Sequence, residues 1–223
     1  MNYLKLADIY CIHLLGDNIV KNVSDMVIGS NNSLTYLEPS SCWFKIFKFL
    51  IRHQEVPCDI QYSFYGVRFF DFRIYADKHG HIIAKNGKCK FPLLAIYEIL
   101  DFFNKMGDVT LSLTLDESFE ERMDGDSIGV ERKFTEFCKL IDRIYSNIKL
   151  CGGYRRYDKK MLYEFDGVEG NEMMRVVNPD KGSMLYRFIS RFCPRWIRKL
   201  NKKYIEEFKN ENVYLLLNYV NRR

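Results

Sequence analysis

One segment, Val67–Ile74, constrains the fold of this chain more than any other. Its residues are almost continuously apolar, which is typical of a strand covered on both faces, as in a barrel or a doubly wound sheet. Asp71 and Arg73 interrupt it two positions apart, and because side chains alternate along a strand, both point to the same face. A buried charge without a partner is strongly destabilising. The pair is therefore either a structural ion pair or a guanidinium that a carboxylate holds ready to bind phosphate.

The rest of the chain alternates short apolar runs with longer segments of helical period, the pattern of βα units around a parallel sheet. We predict strands at Met26–Gly29, Val67–Ile74, Ile82–Lys85, Val109–Leu115, Met161–Phe165 and Val213–Val220. We predict helices at Ala7–Leu15, Cys42–Arg52, Leu93–Met106, Glu131–Ser146 and Arg195–Lys209, and one long loop at Asp166–Lys181. A length of 223 residues suits a single domain. We expect one small α/β barrel, with a helical segment over residues 1–24 and the barrel over residues 25–220.

Composition narrows the classes of partner. The 34 Lys and Arg against 29 Asp and Glu give a net charge of +5, which favours anionic ligands or an anionic membrane surface. The sequence has no RNA-binding aromatic motif, no zinc-finger spacing and no long run of like charges, so we expect no nucleic-acid partner. The 7 cysteines form no CxxC pair, which indicates reduced thiols in a cytoplasmic protein. We expect neither a metal nor a cofactor.

Membrane contact is an open question at this stage. No stretch approaches the roughly 18 uninterrupted apolar residues of a membrane span, and the N-terminus does not resemble a signal peptide. Cys42–Arg52 and Tyr186–Lys199 interleave aromatic and basic residues, as an interfacial element at the inner membrane surface would. Barrel helices that bury aromatics and leave lysines in water would show the same pattern. Both interpretations stay open.

Polar clusters flank two of the predicted strands. After Ile28 an apolar strand runs into Gly-Ser-Asn-Asn-Ser, which includes Asn31 and Asn32, and the strand after Asp77 ends at Asn86 and Gly87. Ligands of parallel α/β sheets collect at the carboxyl ends of strands. Each cluster alone is a weak signal, because such residues also form ordinary turns.

Together and in this order, the three segments resemble the X region of phosphatidylinositol-specific phospholipase C and its wider family of phospholipase C-like phosphodiesterases. That family carries Gly-(Ser/Thr)-His-(Asp/Asn)-Ser, then Gly-Val-Arg-Φ-Φ-Asp-Φ-Arg with Φ apolar, and then His-Gly after a short strand. The matching residues here are Gly29, Ser30, Asn32, Ser33, Thr35, Tyr36, Gly66, Val67, Arg68, Asp71, Arg73 and Gly87. Looser similarity continues to Val220.

The resemblance implies a distorted TIM-type barrel in which the substrate's own hydroxyl attacks phosphorus, with one histidine as general base and a second as general acid. It also implies that Arg73 faces the phosphate and that Asp71 is its acidic neighbour. An arginine at position 73 resembles the metal-independent bacterial type, since calcium would need oxygen ligands there. Asp116, Arg155 and Asn218 are further candidate substrate-binding residues; Asn218 stands where relatives often carry an acid that orients the first histidine.

This chain departs from the family at both histidine positions, which are Asn31 and Asn86. An amide neither accepts nor releases a proton near neutral pH, and loss of one general acid or base typically costs about 10²–10⁴ in rate. We place His79 and His81 at the start of the third strand, about 16 Å from Asn86 at ~3.3 Å per residue, and hence at the opposite mouth of the barrel. We take His13 and His53 as surface or helix-packing residues.

Three hypotheses follow. The first is an impaired or inactive phospholipase C-like domain that still binds a phosphodiester or phosphosugar headgroup through Arg73. The second is a working phosphodiesterase in which Asp71, Asp116 or the substrate transfers protons, with or without a recruited metal. The third is a scaffold or membrane-surface protein that keeps only the fold. The family interpretation predicts that Asn31, Arg73 and Asn86 converge at one mouth of the barrel.

Overall fold

A computed structural model of the protein describes residues 26–46, 53–76, 81–86, 89–92, 94–115, 127–155, 161–164, 174–176, 194–211, 214–218 and 220–222. The predicted helix Ala7–Leu15, the N-terminal segment 1–24 and the candidate Asp116 lie outside these residues. The backbone of Arg155 belongs to a described strand, whereas its side chain lies outside the description.

The described strands form a single sheet. They are β1 (Val27–Ser30), β2 (Phe69–Ala76), β3 (Ile82–Asn86), β4 (Cys89–Phe91), β5 (Val109–Leu115), β6 (Ile148–Arg155), β7 (Met161–Glu164), β8 (Met174–Val176) and β9 (Tyr214–Leu217). Their order is β7-β6-β5-β2-β1-β9-β8, with β3 paired to β2 and β4 to β3. Neighbouring strands pair in parallel from β6 through β5, β2, β1 and β9 to β8. The pairs β2–β3, β3–β4 and β6–β7 are antiparallel.

Five α-helices accompany the sheet in the part of the chain that the structure describes. They are α1 (Cys42–Ile46), α2 (Cys58–Tyr65), α3 (Leu94–Met106), α4 (Ser127–Ile144) and α5 (Pro194–Phe208), and short 3₁₀ helices occur at Ser33–Tyr36 and Val220–Arg222. None of these helices has both the length and the apolar composition needed to cross a bilayer.

The two faces of β2 meet different surroundings. Phe70 and Phe72 are fully buried against Phe103 of α3, with ring centroids 4.4 and 6.2 Å apart from it. Each such burial stabilises the fold by roughly 1.5–3 kcal/mol. The opposite face begins with Phe69, which packs in a separate small cluster with Cys151 and Leu216. We call this second surface the site face, because Asp71 and Arg73 follow Phe69 on it by alternation.

Several sequence predictions need correction. The structure adds strands β4, β6 and β8 and helix α2 to the predicted elements, and β8 falls inside the predicted loop Asp166–Lys181. The last strand ends at Leu217 rather than Val220. The third strand runs antiparallel to β2, with Ile74 opposite Ala84, because a β-hairpin and not a helical crossover joins them.

The fold is therefore mixed α/β with a core of parallel strands. Among the strand pairs that the structure describes, none joins β7 to β8 to complete a ring. The parallel strands β2, β1 and β9 are direct neighbours in the centre of the order, so their carboxyl ends lie side by side at one edge of the sheet.

Candidate functional site

An ion pair occupies the site face of β2. The Nε atom of Arg73 lies 3.6 Å from Oδ2 of Asp71, so alternation along the strand does place both charges on one face. The Asp71 side chain is 9% exposed and that of Arg73 is 37% exposed. The carboxylate is thus enclosed by protein, while part of the Arg73 side chain stays exposed to solvent.

The loop after β1 holds the Asp71 carboxylate in place. The backbone N–H of Asn32 donates to Oδ2 of Asp71 at 3.1 Å, and the N–H of Asp71 donates to the Ser33 hydroxyl at 3.0 Å. The same hydroxyl donates to the carbonyl of Ser30 at 2.7 Å. Asn32 adopts the left-handed conformation, with φ of 46°, which asparagine tolerates better than most residues. These contacts fasten the β1 loop to β2.

Two buried amides meet beside this loop. Nδ2 of Asn31, after β1, donates to Oδ1 of Asn218, after β9, at 2.9 Å. The N–H of Asn31 also donates to the Leu217 carbonyl at 3.1 Å, and Nδ2 of Asn201 in α5 donates to the Asn218 carbonyl at 3.0 Å. The positions that the family resemblance assigns to the first histidine and to its orienting acid are therefore neighbours here, with an amide at each.

An imidazole that the sequence analysis set aside lies at the same place. Nδ1 of His53 is 3.0 Å from Oδ1 of Asn218, and the ring is partly buried. The interpretation of His53 as an ordinary surface or helix-packing residue is therefore wrong: it lies outside α1, and its side chain reaches the carboxyl end of β9. No local sequence pattern around His53 predicts this contact, because 165 positions separate His53 from Asn218.

A buried glutamine fixes the backbone next to His53. Nε2 of Gln54 donates to the carbonyls of Asn31 at 3.0 Å and Leu217 at 2.8 Å, and its Oε1 accepts from the N–H of Val220 at 3.1 Å. The Gln54 side chain is fully buried, and it ties the ends of β1 and β9 together. Sequence reasoning missed Gln54 because its partners are backbone groups, which leave no mark in the sequence.

Lys85 places a second cation near Arg73. The pairing of Ile74 with Ala84 and of Tyr75 with Ile83 sets Lys85 opposite Arg73, and residues directly opposite in an antiparallel pair share a face. Lys85 is only 3% exposed, and its Nζ lies 4.3 Å from the centre of the Tyr75 ring. The predicted site residue on this strand is the next one, Asn86.

Asn86 takes the other face of the β3–β4 hairpin. Asn86 pairs with Cys89, and Ala84 pairs with Phe91. By alternation, Asn86 therefore lies on the same face as the core residues Ala84, Cys89 and Phe91. Asn86 is half-buried there. The strand pairing thus brings Asn31, Asn32, Asp71, Arg73 and Asn218 to one edge of the sheet, and it sets Lys85 rather than Asn86 on the face of Arg73.

The antiparallel course of β3 also changes the position of the other histidines. Ala76 at the end of β2 pairs with Ile82, so the exposed His81 lies just beyond the carboxyl end of β2. Its predicted place at the opposite mouth of the barrel is wrong. At ~3.3 Å per residue, His81 lies about 13 Å along the strand from the level of Arg73. His79 lies outside the described residues.

Two buried polar atoms in this group have no hydrogen-bond partner among the described residues. They are Nε of Arg73 and Oδ1 of Asn32. Buried polar atoms are normally hydrogen-bonded, so we expect these two atoms to meet a partner from outside the described residues. Asp71 pairs with Ser112 and Ser112 with Cys151, so Asp71 lies level with the small cluster of Phe69, Cys151 and Leu216. Burial, and to a smaller extent the charge of Asp71, raises the pKa of the Cys151 thiol to about 12. The described residues contain no group of three or more His, Cys, Asp or Glu that could hold a metal ion.

The arrangement of elements matches that of a known group of enzymes. No family model matches the sequence, and no curated protein matches it either. Phosphatidylinositol-specific phospholipase C from Listeria monocytogenes matches the structure with a TM-score of 0.55 and 11% identity, over 93% of this chain and 96% of that one. A double mutant of phosphatidylinositol-specific phospholipase C from Staphylococcus aureus gives a TM-score of 0.54 and 14% identity, over 90% of this chain and 86% of that one.

A single mutant of the Staphylococcus aureus protein gives a TM-score of 0.53 and 15% identity, over 86% of this chain and 84% of that one. At identities this low, the likeness concerns the fold. The predicted resemblance to phospholipase C-like phosphodiesterases is confirmed at that level.

Proposed function

We propose that this chain binds a phosphodiester headgroup, of a phosphosugar or a phospholipid, at the carboxyl ends of β1, β2 and β9. The observation that carries the proposal is the Arg73 guanidinium, which the buried Asp71 holds on the site face while more than a third of the side chain stays exposed. An arginine held in this way by a carboxylate is preorganised for the planar, paired hydrogen bonds of a phosphate group.

The charges of the site suit a monoanion. Arg73 is a partly exposed cation on the site face, and Lys85 on the neighbouring strand is a second cation on that face. A phosphodiester carries a single negative charge. At about 4 Å and an effective dielectric constant of ~20, one such attraction is worth roughly 4 kcal/mol before the cost of removing water. The Nε of Arg73, which has no hydrogen-bond partner among the described residues, is a further donor on this side chain.

The headgroup of an inositol phospholipid is the first candidate. The bacterial proteins of the same fold are phospholipases C specific for phosphatidylinositol. We further propose that residues 25–220 form one distorted (β/α) barrel around this site. Asn31 and Asn86 cannot supply the proton transfers of the family's two histidines. Residues at these two positions can therefore contribute to binding of the headgroup but not to its cleavage.

A peripheral membrane contact accompanies this proposal. Trp43 in α1 is 66% exposed, and its neighbour Lys45 is exposed as well. An exposed indole beside a lysine is the combination found where proteins touch an anionic membrane surface. One of the two interpretations of segment Cys42–Arg52 was that its aromatic residues pack in the core. The exposure of Trp43 does not agree with that interpretation for this residue. We propose that a cytoplasmic protein meets the inner membrane surface through α1.

Calorimetric titration with glycerophosphoinositol, a soluble phosphodiester, tests the binding proposal. We expect saturable binding that Arg73→Ala weakens by at least about tenfold, because a charge-assisted contact to phosphate is worth about 1.5–3 kcal/mol. Arg68→Ala is the matched control: this cation lies near the start of β2 and pairs with Asp108 at 2.8 Å. Equal weakening by both variants, or no saturable binding to the wild type, would contradict the proposal.

A scaffold protein that keeps only the fold and binds the soluble diester non-specifically would also show binding without turnover. The third hypothesis, a membrane-surface protein that keeps only the fold, predicts vesicle binding that is indifferent to Arg73. Co-sedimentation with vesicles of phosphatidylcholine and phosphatidylinositol separates the two, because headgroup recognition requires Arg73→Ala to lower the bound fraction.

A further inference from the structure

His53 is the one described histidine that the hydrogen-bond network ties to the site. Oδ1 of Asn218 accepts from Nδ2 of Asn31 at 2.9 Å and lies 3.0 Å from Nδ1 of His53. An amide oxygen only accepts hydrogen bonds, so Nδ1 of the neutral imidazole carries the proton. The lone pair then belongs to Nε2. Asn218 thus selects the tautomer of His53, as the asparagine or aspartate behind a catalytic histidine does.

The backbone of His53 is fixed from a second direction. The N–H groups of His53 and Gln54 both donate to the Thr35 hydroxyl oxygen, at 2.9 and 3.0 Å, and that hydroxyl donates to the Asn32 carbonyl at 2.8 Å. The buried Gln54 side chain holds the ends of β1 and β9. An imidazole anchored at both backbone and ring keeps a defined position, which a proton-transfer group requires.

The same contacts lead from His53 to the phosphate-binding arginine. Asn218 follows β9 and contacts Asn31 after β1; the next residue, Asn32, donates its N–H to Asp71, which pairs with Arg73 on β2. The three strands are direct neighbours, so the imidazole and the guanidinium belong to the same edge of the sheet. His53 is also only partly buried, which leaves its ring near solvent.

We propose that His53 is the general base of a phosphodiester cleavage in this site, supplied by the segment before α2 in place of an imidazole at position 31; the proposal rests on phosphodiester binding at Arg73. A hydroxyl adjacent to the phosphodiester forms a bond from its oxygen to phosphorus, and its proton passes to Nε2 of His53. The bond from phosphorus to the leaving oxygen breaks, and that oxygen keeps the electron pair. The products are a cyclic phosphodiester, the leaving anion and an imidazolium, which returns its proton to water.

The test uses a substrate whose leaving group needs no proton, 4-nitrophenyl myo-inositol-1-phosphate, because 4-nitrophenolate leaves as the anion. We expect the wild-type protein to release nitrophenolate and His53→Ala to be slower by about 10²-fold or more. Added imidazole is expected to restore a substantial part of the rate in His53→Ala, which a merely structural role would not allow. His53→Gln, which fills the space with a group that takes no proton, is expected to be slow and unresponsive to imidazole.

His81→Ala is the matched control, because the exposed His81 is the other described histidine. We expect it to keep the wild-type rate. The proposal is overturned if His53→Ala keeps that rate, if His81→Ala loses it instead, or if imidazole restores nothing in a His53→Ala protein that unfolds at the wild-type temperature. Should His53→Ala fail to fold, His53→Gln decides: a wild-type rate in this variant overturns the proposal.

Binding of glycerophosphoinositol distinguishes this proposal from the one on which it rests. If the wild-type protein binds the diester through Arg73 and releases no nitrophenolate, the role of His53 is refuted while the binding site stands. If the diester does not bind at all, the binding site fails first. We expect His53→Gln to bind the diester within about threefold of wild type, since the residue acts on a proton and not on the phosphate.

Discussion

Replacing Gln54 by leucine should destabilise the protein more than any other single change to an uncharged side chain at the site. Leucine matches glutamine in size but has no polar atoms, so the carbonyl of Asn31 and the N–H of Val220 would lose their partner. The Leu217 carbonyl would lose one of two hydrogen bonds and keep the one from the N–H of Asn31. Each buried backbone group left without a partner costs about 1–3 kcal/mol. Allowing for relaxation, we expect a loss of about 3–5 kcal/mol in the free energy of unfolding.

Gln61→Leu is the matched control for this prediction. Gln61 is also fully buried, but its side chain serves one described backbone group, the Val56 carbonyl, and its Oε1 has no partner among the described residues. We expect a loss of about 1–2 kcal/mol. Urea denaturation of both variants, followed by circular dichroism, measures the difference. Equal losses, or a loss below about 1 kcal/mol for Gln54→Leu, would refute the role assigned to Gln54.

Three further outcomes are expected. Lys85→Met should weaken glycerophosphoinositol binding in calorimetry by about tenfold, through loss of the cation opposite Arg73; unchanged affinity would remove Lys85 from the site. Trp43→Ala should lower co-sedimentation with phosphatidylinositol-containing vesicles, whereas alanine at Phe64, an aromatic of similar exposure (70% against 66%), should not. At pH 8, iodoacetamide should label the exposed Cys42 well before the buried Cys151, whose pKa of about 12 keeps it protonated, as peptide mass spectrometry would show.

The central strand was predictable because its pattern is local. A continuous apolar run marks β2, and alternation alone puts Asp71 and Arg73 on one face, as the structure has them. The motifs around that strand also predicted the likeness of this mixed α/β fold to bacterial phospholipases C, although the described strands do not close the predicted barrel. The first inference uses residues a few positions apart, and the second uses three short motifs whose order from Gly29 to Gly87 is readable in the sequence.

The direction of β3 and the choice between Lys85 and Asn86 were not predictable in this way. Periodicity identifies a strand but contains nothing about which way its neighbour runs. Once β3 pairs antiparallel with Ile74 opposite Ala84, the register sets Lys85 on the face of Arg73 and turns Asn86 to the other side. A one-residue shift in register would have exchanged these two residues.

The place of His53 was out of reach for a different reason. Its ring contacts Asn218 across 165 positions of sequence, and its backbone N–H, like that of Gln54, donates to the Thr35 hydroxyl. Only the meeting of β1 and β9 in the sheet brings these residues together. A site can therefore lose its expected histidines in sequence and still have an imidazole beside it.

Phosphorus NMR of glycerophosphoinositol tests most directly whether Arg73 binds the phosphate. Addition of the wild-type protein should broaden and shift the phosphorus resonance in proportion to the bound fraction, and Arg68→Ala should behave in the same way. Arg73→Ala at the same concentration should leave the resonance close to that of the free diester. A resonance that the wild-type protein does not affect, or that Arg73→Ala affects equally, would contradict the assignment of this edge of the sheet as a phosphodiester site.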